Sequence, residues 1–442
     1  MGWFVLFSGL TAKQKRIVER DVATLFSRRA FLSKPTIEEI KQLEPFHPTV
    51  EFNRGTLFLS DAGVAALGRL TDLVSGMQGL SEVVSRREVY AAIVKTYNDL
   101  LQKLLQPTGQ EFVEDVTGAL LGTVKTYQFL VRIEGLDLGD QEALVLGSYQ
   151  IQRASRALLE SVKFEGLLNL DSIYDQLKGG LWLVGPSRGG DDVALERFEH
   201  RVFITVGLLA ICGALRYKGA IWRSRVRAVI SPLENRNAVL IVRWEQGGDN
   251  PSLTRRWGGE QDLTLDAESV AYLIKTCFLT QLASLPDRND LTELQDAILR
   301  AIYWFGDAYR DANKTMKFIK LWSCAECFFA IDKEEVTELN ARGLAAVLTF
   351  AGFSIVSVEE YAGFKNRIKE LYGLRSEAIH RASFGHIQDA DLNDLSLWVA
   401  WLIVSMTFLS ERGYRTLRQI QEQVSRLDQL TGKRKAATDS GK

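Results

Sequence analysis

The chain has 442 residues, of which 46% are hydrophobic and 25% are charged, a composition typical of folded soluble proteins and not of disordered ones. At roughly 100–200 residues per domain, this length predicts two or three domains. The 54 basic side chains nearly balance the 55 acidic ones, which excludes a protein that coats nucleic acid through overall charge alone. Any contact with nucleic acid must therefore be local.

Cysteine usage and the apolar segments predict a reduced, cytoplasmic protein that does not cross a membrane. The four cysteines lie in apolar stretches without the spacing of a disulfide framework or a paired zinc motif. Cys324 and Cys327 form a Cys-x-x-Cys, but no strand-then-helix pattern surrounds it, so we expect core packing. The apolar runs Val202–Leu215 and Leu395–Leu409 are shorter than the ~20 residues that span a bilayer, and each predicts a buried helix.

The first part of the chain, up to about Leu105, has a mostly helical pattern, and the middle part is predicted to be mixed. A helix is expected over Ser148–Val162. The glycine-rich Gly185–Gly190 is expected to be a surface loop, because it lacks the Gly-Lys-Ser/Thr ending that binds phosphates and magnesium. Candidate strands are Thr126–Ile133, Lys163–Leu170, Arg227–Ser231 and Ala238–Trp244, with a further apolar run at Gly180–Val184.

From Leu291 onward the pattern changes to long amphipathic helices without a strand pattern. We therefore predict an α+β protein with three parts: a mixed region over 1–285 that forms one or two subdomains and for which a sensing or regulatory role is the hypothesis, an all-helical domain over 290–430, and a basic flexible tail over 431–442. Asp332 is expected to cap the third helix of this domain. The expected helices are Leu291–Ala312, Thr315–Ala330, Lys333–Phe350, Val358–His380 and Asp389–Arg426.

Two of the four histidines, His380 and His386, fall in one short stretch near the end of the fourth helix. RNA carries its own nucleophile, the 2′-hydroxyl, so cleavage needs only a group that takes its proton and a group that binds the phosphate. Histidine suits the first task and arginine the second. Arg375 and His380 thus form a minimal cleavage pair, whereas His47 and His200 are isolated and are expected to be structural or exposed.

The geometry of an unbroken helix restricts this pair. Residues five apart are separated by ~140° in projection, so Arg375 and His380 do not share a stripe, and the second partner can come from another chain. Ser376 and His380 are four apart, so the hydroxyl is expected to orient the imidazole. The alternative is that these are ordinary solvated helix residues, because an arginine a few positions before a histidine is common by chance.

The string from Tyr372 to His380, Tyr-Gly-Leu-Arg-Ser-Glu-Ala-Ile-His, resembles the Tyr-x-x-Arg-Ser-x-x-x-His signature of Apea-like HEPN domains. Glu326, in an earlier apolar helix, occupies the place of an acidic residue that is frequent in that family. If buried, this glutamate needs a partner, and Arg375 is the expected one. The resemblance covers about the last third of the chain.

HEPN membership implies a homodimer in which two Arg/His pairs meet, and cleavage of RNA to 2′,3′-cyclic phosphate and 5′-hydroxyl ends without metal or cofactor. Arg375 and His380 are then catalytic, and Glu326, Ser376 and Tyr372 support them. The resemblance further implies a prokaryotic antiviral, abortive-infection role, with a protein or phage-derived trigger acting on the N-terminal region. The alternative function is a non-catalytic HEPN module for dimerisation or RNA binding.

Overall fold

The computed structural model describes residues 9–33, 35–36, 48–52, 55–156, 170–220, 226–228, 239–243, 252–256, 262–329, 336–381 and 387–439. The predictions for His47, the cap Asp332 and His386 lie outside these residues, as does the predicted strand 163–170 except for Leu170, which begins a helix. The chain divides into two compact units, Met1–Phe129 with Pro186–Phe198, and Leu130–Gly185 with Glu199–Lys442. The predicted division between residues 285 and 290 coincides with neither border, because the later helices belong to the same unit as most of the sheet.

The first unit is mostly helical, as predicted for the start of the chain. Its core joins residues from every helix, including Leu25, Leu67, Ile93 and Phe112. Several helices begin with a capping box. A Ser or Thr hydroxyl accepts a hydrogen bond from a free backbone amide of the helix, and a Glu or Gln side chain three residues later accepts one from the backbone amide of the Ser or Thr. The elements are α1 (Ala12–Leu25), β1 (Thr49–Phe52), β2 (Gly55–Phe58), α2 (Asp61–Ser75), α3 (Arg86–Gln102) and α4 (Gly109–Thr123).

Most of a five-stranded sheet lies in the second unit, which confirms the α+β class. The elements of the mixed part are β3 (Lys125–Glu134), β4 (Leu136–Asp137), β5 (Ala143–Leu146), β6 (Tyr149–Arg153), α5 (Leu170–Leu177), β7 (Leu181–Gly189), α6 (Asp191–Arg216), β8 (Arg227–Ala228), β9 (Val239–Arg243), β10 (Ser252–Arg256), β11 (Leu263–Thr264), α7 (Ala267–Cys277) and α8 (Leu279–Ser284). The strand order is β5-β6-β7-β3-β8, with β5–β6, β6–β7 and β3–β8 antiparallel.

The helix predicted over Ser148–Val162 is wrong at its start, where the chain forms the β5–β6 hairpin. Gly147 in the turn has a φ of 67°, and a Cβ there would lie 2.4 Å from a carboxylate oxygen of Asp287, so glycine is required. The side chains of β6 alternate, with Tyr149 and Ile151 buried and Gln150 half-buried, as in a strand with one face on the core.

The surface loop predicted over Gly185–Gly190 is also wrong, because β7 continues to Gly189. At Gly185 the Tyr149 ring packs directly on the backbone, and a Cβ would lie 2.3 Å from the ring. Ser187 is buried as well. The glycine here serves close packing between strands and not a turn.

The helices of the C-terminal part begin and end close to their predicted positions, with one exception. The predicted Asp389–Arg426 is two helices, because Gly413 adopts a φ of 94° and Thr416 then caps a new helix through a reciprocal pair of bonds with Gln419. The last helix runs to Asp439 and includes most of the predicted flexible tail, whose Lys, Arg and Ala residues favour helix. The helices are α9 (Glu293–Arg310), α10 (Lys314–Phe329), α11 (Val336–Phe350), α12 (Tyr361–Arg381), α13 (Asp389–Glu411) and α14 (Leu417–Asp439).

Two of the described helices, α6 and α13, are long and apolar enough to cross a membrane. Their apolar windows are 78% and 61% buried inside the protein, which is typical of core helices in soluble proteins. This confirms the prediction that both runs are buried helices. The aromatic core beside them is formed by Phe305, Phe318, Trp322 and Phe328.

Candidate active site

Helices α10 and α12 position the predicted site residues. Glu326 lies in the last turns of α10, and Tyr372 and Arg375 lie three residues apart on α12. Side chains three apart on a helix lie on one face. That face of α12 packs against α10, so the tyrosine and the arginine both reach the glutamate.

The three side chains form a connected network. The Tyr372 hydroxyl donates to Glu326 Oε1 at 2.6 Å, and Arg375 Nη2 donates to Glu326 Oε2 at 3.0 Å and lies 2.9 Å from Oε1. Only 20% of the arginine side chain and 19% of the glutamate side chain are exposed. The pair predicted between Glu326 and Arg375 is therefore present, and charge-assisted bonds of this kind are the stronger ones in proteins.

Aromatic packing holds the network in place. Trp322, one helical turn before Glu326, is fully buried, and its ring meets the Tyr372 ring edge-on with centroids 4.9 Å apart. The Arg375 guanidinium carbon lies 5.2 Å from the centre of the same tyrosine ring. Burial, and then the bond to Glu326, raise the pKa of Tyr372, so the phenol stays a protonated donor. Trp322 is missing from the predicted site, although its i, i+4 spacing to Glu326 is a usable signal.

Arg375 keeps hydrogen-bonding capacity after it has bound Glu326. Within the described residues, its contacts with the carboxylate are all made by Nη2. The Nε atom is buried and has no hydrogen-bond partner. An arginine offers five N–H donors in a planar fork, so the network anchors one corner of the group and leaves Nη1 for another acceptor.

His380 is not part of this network. Its side chain is exposed, and α12 is continuous from Arg375 to His380, so the two side chains point ~140° apart. The predicted hydrogen bond between Ser376 and His380 is not formed in the part of the chain that the structure describes. A serine side chain is short, and an exposed imidazole is hydrated, so the i, i+4 spacing alone does not produce this bond.

The cysteines near Glu326 are poor nucleophiles; Cys324 packs in the core as predicted, whereas Cys327 is half-buried. Cys324 is fully buried, and its thiol donates to the Lys320 carbonyl. Burial raises the pKa of Cys324 well above its usual value, and burial raises the pKa of Cys327 to about 11. Both therefore remain thiols at neutral pH. Among the described residues, no cluster of three or more His, Cys, Asp and Glu side chains is placed to hold a metal ion.

No family model, curated protein or solved structure matches this chain.

Proposed function

We propose that this chain is an endoribonuclease of the HEPN kind, which cuts RNA without a metal ion and leaves 2′,3′-cyclic phosphate and 5′-hydroxyl ends. The observation that carries the proposal is the hydrogen bonding of the Arg375 guanidinium group. Its guanidinium group is fixed by Glu326 through Nη2, while Nη1 has no partner among the described residues. A fixed cation with spare, forked donors suits a phosphate group that gains negative charge during the reaction.

The chemistry requires two proton transfers. The 2′-oxygen attacks the adjacent phosphorus as its proton passes to a histidine, and the bond from phosphorus to the 5′-oxygen breaks as that oxygen receives a proton. Arg375 binds the phosphate oxygens during the attack. Glu326 and Tyr372 hold the guanidinium group in one orientation, which lowers the reorganisation needed in the transition state. His380 is exposed, as a residue that must reach substrate has to be.

A second copy of the chain completes the site in this proposal. In one copy, Arg375 and His380 point ~140° apart and are separated by about 7.5 Å along the helix axis. If the two α12 helices of a dimer lie side by side, Arg375 of one copy faces His380 of the partner subunit across the RNA. Two histidines then meet at one cleft, one as base and one as acid. The defence role and triggering through the N-terminal region rest on the family resemblance alone, whereas the cytoplasmic location rests on cysteine usage.

A second function is favoured by one specific observation. The charge of Arg375 is already balanced by Glu326 within a mostly buried pair, so an incoming phosphate must compete with a carboxylate. In a non-catalytic HEPN module for RNA binding or dimerisation, the same network simply joins α10 to α12.

The deciding experiment incubates a mixed RNA pool with the full chain in EDTA and analyses the fragment ends. Wild type is compared with His380→Ala and Arg375→Ala. The matched control is Arg367→Ala, because Arg367 lies on the same helix and also pairs with a carboxylate, that of Asp391. The nuclease proposal expects cyclic phosphate ends with wild type and with the control, and a loss of about 10²–10⁴-fold with His380→Ala.

Three results would contradict the proposal. Cleavage that needs added metal, or that survives in His380→Ala, assigns the activity to other residues. RNA binding without cleavage by a dimeric wild-type chain, in the presence of candidate triggers, favours the non-catalytic module.

A further inference from the structure

Aromatic side chains gather on one exposed part of α6 and α9, within the second unit. Tyr303 stacks on the exposed His200 imidazole, with ring centroids 5.6 Å apart and planes 22° apart. The Trp304 ring meets the Tyr303 ring edge-on with centroids 6.3 Å apart, and 37% of the Trp304 residue is exposed. The Arg310 guanidinium carbon lies 4.3 Å from the centre of the Phe203 ring. We call His200, Phe203, Tyr303, Trp304 and Arg310 the aromatic platform.

The proposed cleavage site lies on the same group of helices as the platform. Trp304 and Arg300 are one helical turn apart on α9 and so share a stripe. Helix α9 packs against α10, and α10 packs against α12. Glu326, the partner of Arg375, lies on α10. These packed helices therefore connect Trp304 on α9 with the Arg375 network on α12.

Two basic and three acidic side chains form ion pairs along α9. Arg300 pairs with Asp296 at 3.3 Å, and Lys320 lies 2.9 Å from Asp307 and 2.8 Å from Asp311. Such a surface attracts phosphates weakly, so it does not suit a nucleic acid duplex held by its backbone. The faces of unpaired bases stack on aromatic rings and arginine planes whatever their sequence. The platform consists of flat rings and one guanidinium group, which is the chemistry that unpaired bases need.

We propose that the aromatic platform binds unpaired bases of a single-stranded RNA whose phosphate is presented to Arg375. The choice of ligand rests on the proposed function. A single strand can offer its bases to Trp304 and Tyr303 while its backbone continues toward α12, whereas a duplex keeps its bases stacked inside. The substrate class is therefore single-stranded RNA, or a loop with unpaired bases.

The test measures binding of a fluorescein-labelled single-stranded RNA, and of the same sequence as a duplex, by anisotropy. The protein is the full chain with His380→Ala, in EDTA, so that the RNA stays intact. Trp304→Leu removes the ring but keeps the apolar bulk, and Trp304→Phe keeps a ring. Tyr272→Leu is the matched control, because Tyr272 is an exposed aromatic residue on α7 with 53% of its surface accessible.

Trp304→Leu is expected to weaken single-strand binding by about 5- to 150-fold, with Trp304→Phe close to the parent. Tyr272→Leu should leave binding unchanged. The salt dependence should be the same in all four proteins, since stacking releases no counterions. Circular dichroism verifies that each variant is folded.

Several outcomes would contradict the proposal that the platform binds single-stranded RNA. One is single-strand binding that is absent in the parent or equal in the parent and Trp304→Leu. Another is an equal loss for the duplex, and a third is a change in sedimentation mass with unchanged RNA binding, which assigns the surface to a protein partner. The two proposals fail separately: ring-dependent binding without wild-type cleavage refutes only the nuclease, and wild-type cleavage that Trp304→Leu does not alter refutes only the platform.

Discussion

Helix α12 carries two charged networks, one near each end, that combine a tyrosine, a basic residue and carboxylates in different proportions. Near its start, Lys365 Nζ lies 2.7 Å from a Glu338 oxygen and 3.0 Å from an Asp428 oxygen, and the Tyr361 hydroxyl donates to Asp428 at 2.8 Å. This first network joins α11, α12 and α14. Its lysine has two carboxylates for three N–H donors.

The second network, near the end of α12, contains one carboxylate, that of Glu326, and its cation is the larger guanidinium group of Arg375. Arg375 and Tyr372 share Glu326, and the buried Nε of Arg375 has no hydrogen-bond partner. An arginine has five donors, so its hydrogen-bonding capacity is mostly unused within the described residues. The comparison shows how similar side chains on one helix can differ: the lysine network joins three helices, whereas the arginine network keeps unused donors, which the proposed function assigns to a phosphate.

The strongest way to separate the two networks is to exchange lysine and arginine. Arg375→Lys keeps the charge but loses the planar fork, so we expect RNA cleavage in EDTA to fall by about 10²-fold. Lys365→Arg is the control and should leave cleavage close to wild type. Single-turnover rates measure both, and equal losses in the two variants would contradict the division of roles.

The free energy of unfolding should depend more on the lysine network than cleavage does. Lys365→Ala leaves Glu338 and Asp428 without their shared cation, and we expect the free energy of unfolding to fall by about 2 kcal/mol. Urea denaturation measures the change. Arg418→Ala on α14 is the control, because its pair with Glu422 is solvent-exposed and should contribute less than about 0.5 kcal/mol. A similar loss in both variants would mean that the Lys365 network does not stabilise the bundle.

The two tyrosines offer a matched pair of smaller changes. Tyr361→Phe and Tyr372→Phe each remove one hydroxyl that donates to a carboxylate, so each should lower the free energy of unfolding by about 1 kcal/mol. Only Tyr372→Phe should also lower the cleavage rate, because only its carboxylate orients Arg375. Cleavage that responds to neither variant would leave Tyr372 a structural residue.

The smallest effect concerns pH. Burial alone would raise the pKa of Glu338, but the bonds and charges of Lys365 and Lys369 outweigh it and hold this pKa below its usual value. A carboxylate with a lowered folded-state pKa contributes stability above its unfolded pKa of about 4.3, and this is lost as the pH falls through the folded value. Between about pH 6 and pH 3, wild type should therefore lose more stability than Glu338→Gln in urea denaturation. A steeper loss in the variant would reverse the sign of this linkage.

Local patterns determined most of the helical framework. The amphipathic period from Leu291 onward predicts α9 to α12, and the start of α13, close to their observed bounds, because helical bonds and caps join residues three or four positions apart. The break between α13 and α14 has a local signal too, in Gly413 and the Thr416/Gln419 cap, although the prediction passed over it. The pairing of Glu326 with Arg375 followed from family resemblance and from the need of a buried carboxylate for a cation.

Tertiary structure alone decided the features that depend on distant residues. The β5–β6 turn is fixed by Asp287, which bonds Ser148 across 139 positions, so no local period predicts it. Packing of Trp322 on Tyr372, and of Tyr303 on His200, likewise joins separate helices. The sequence by itself therefore determined which residues are charged, which form helices and which have reactive side chains. The packing of α10 on α12 decided which of them meet, because a contact between elements depends on their mutual arrangement, which no single segment encodes.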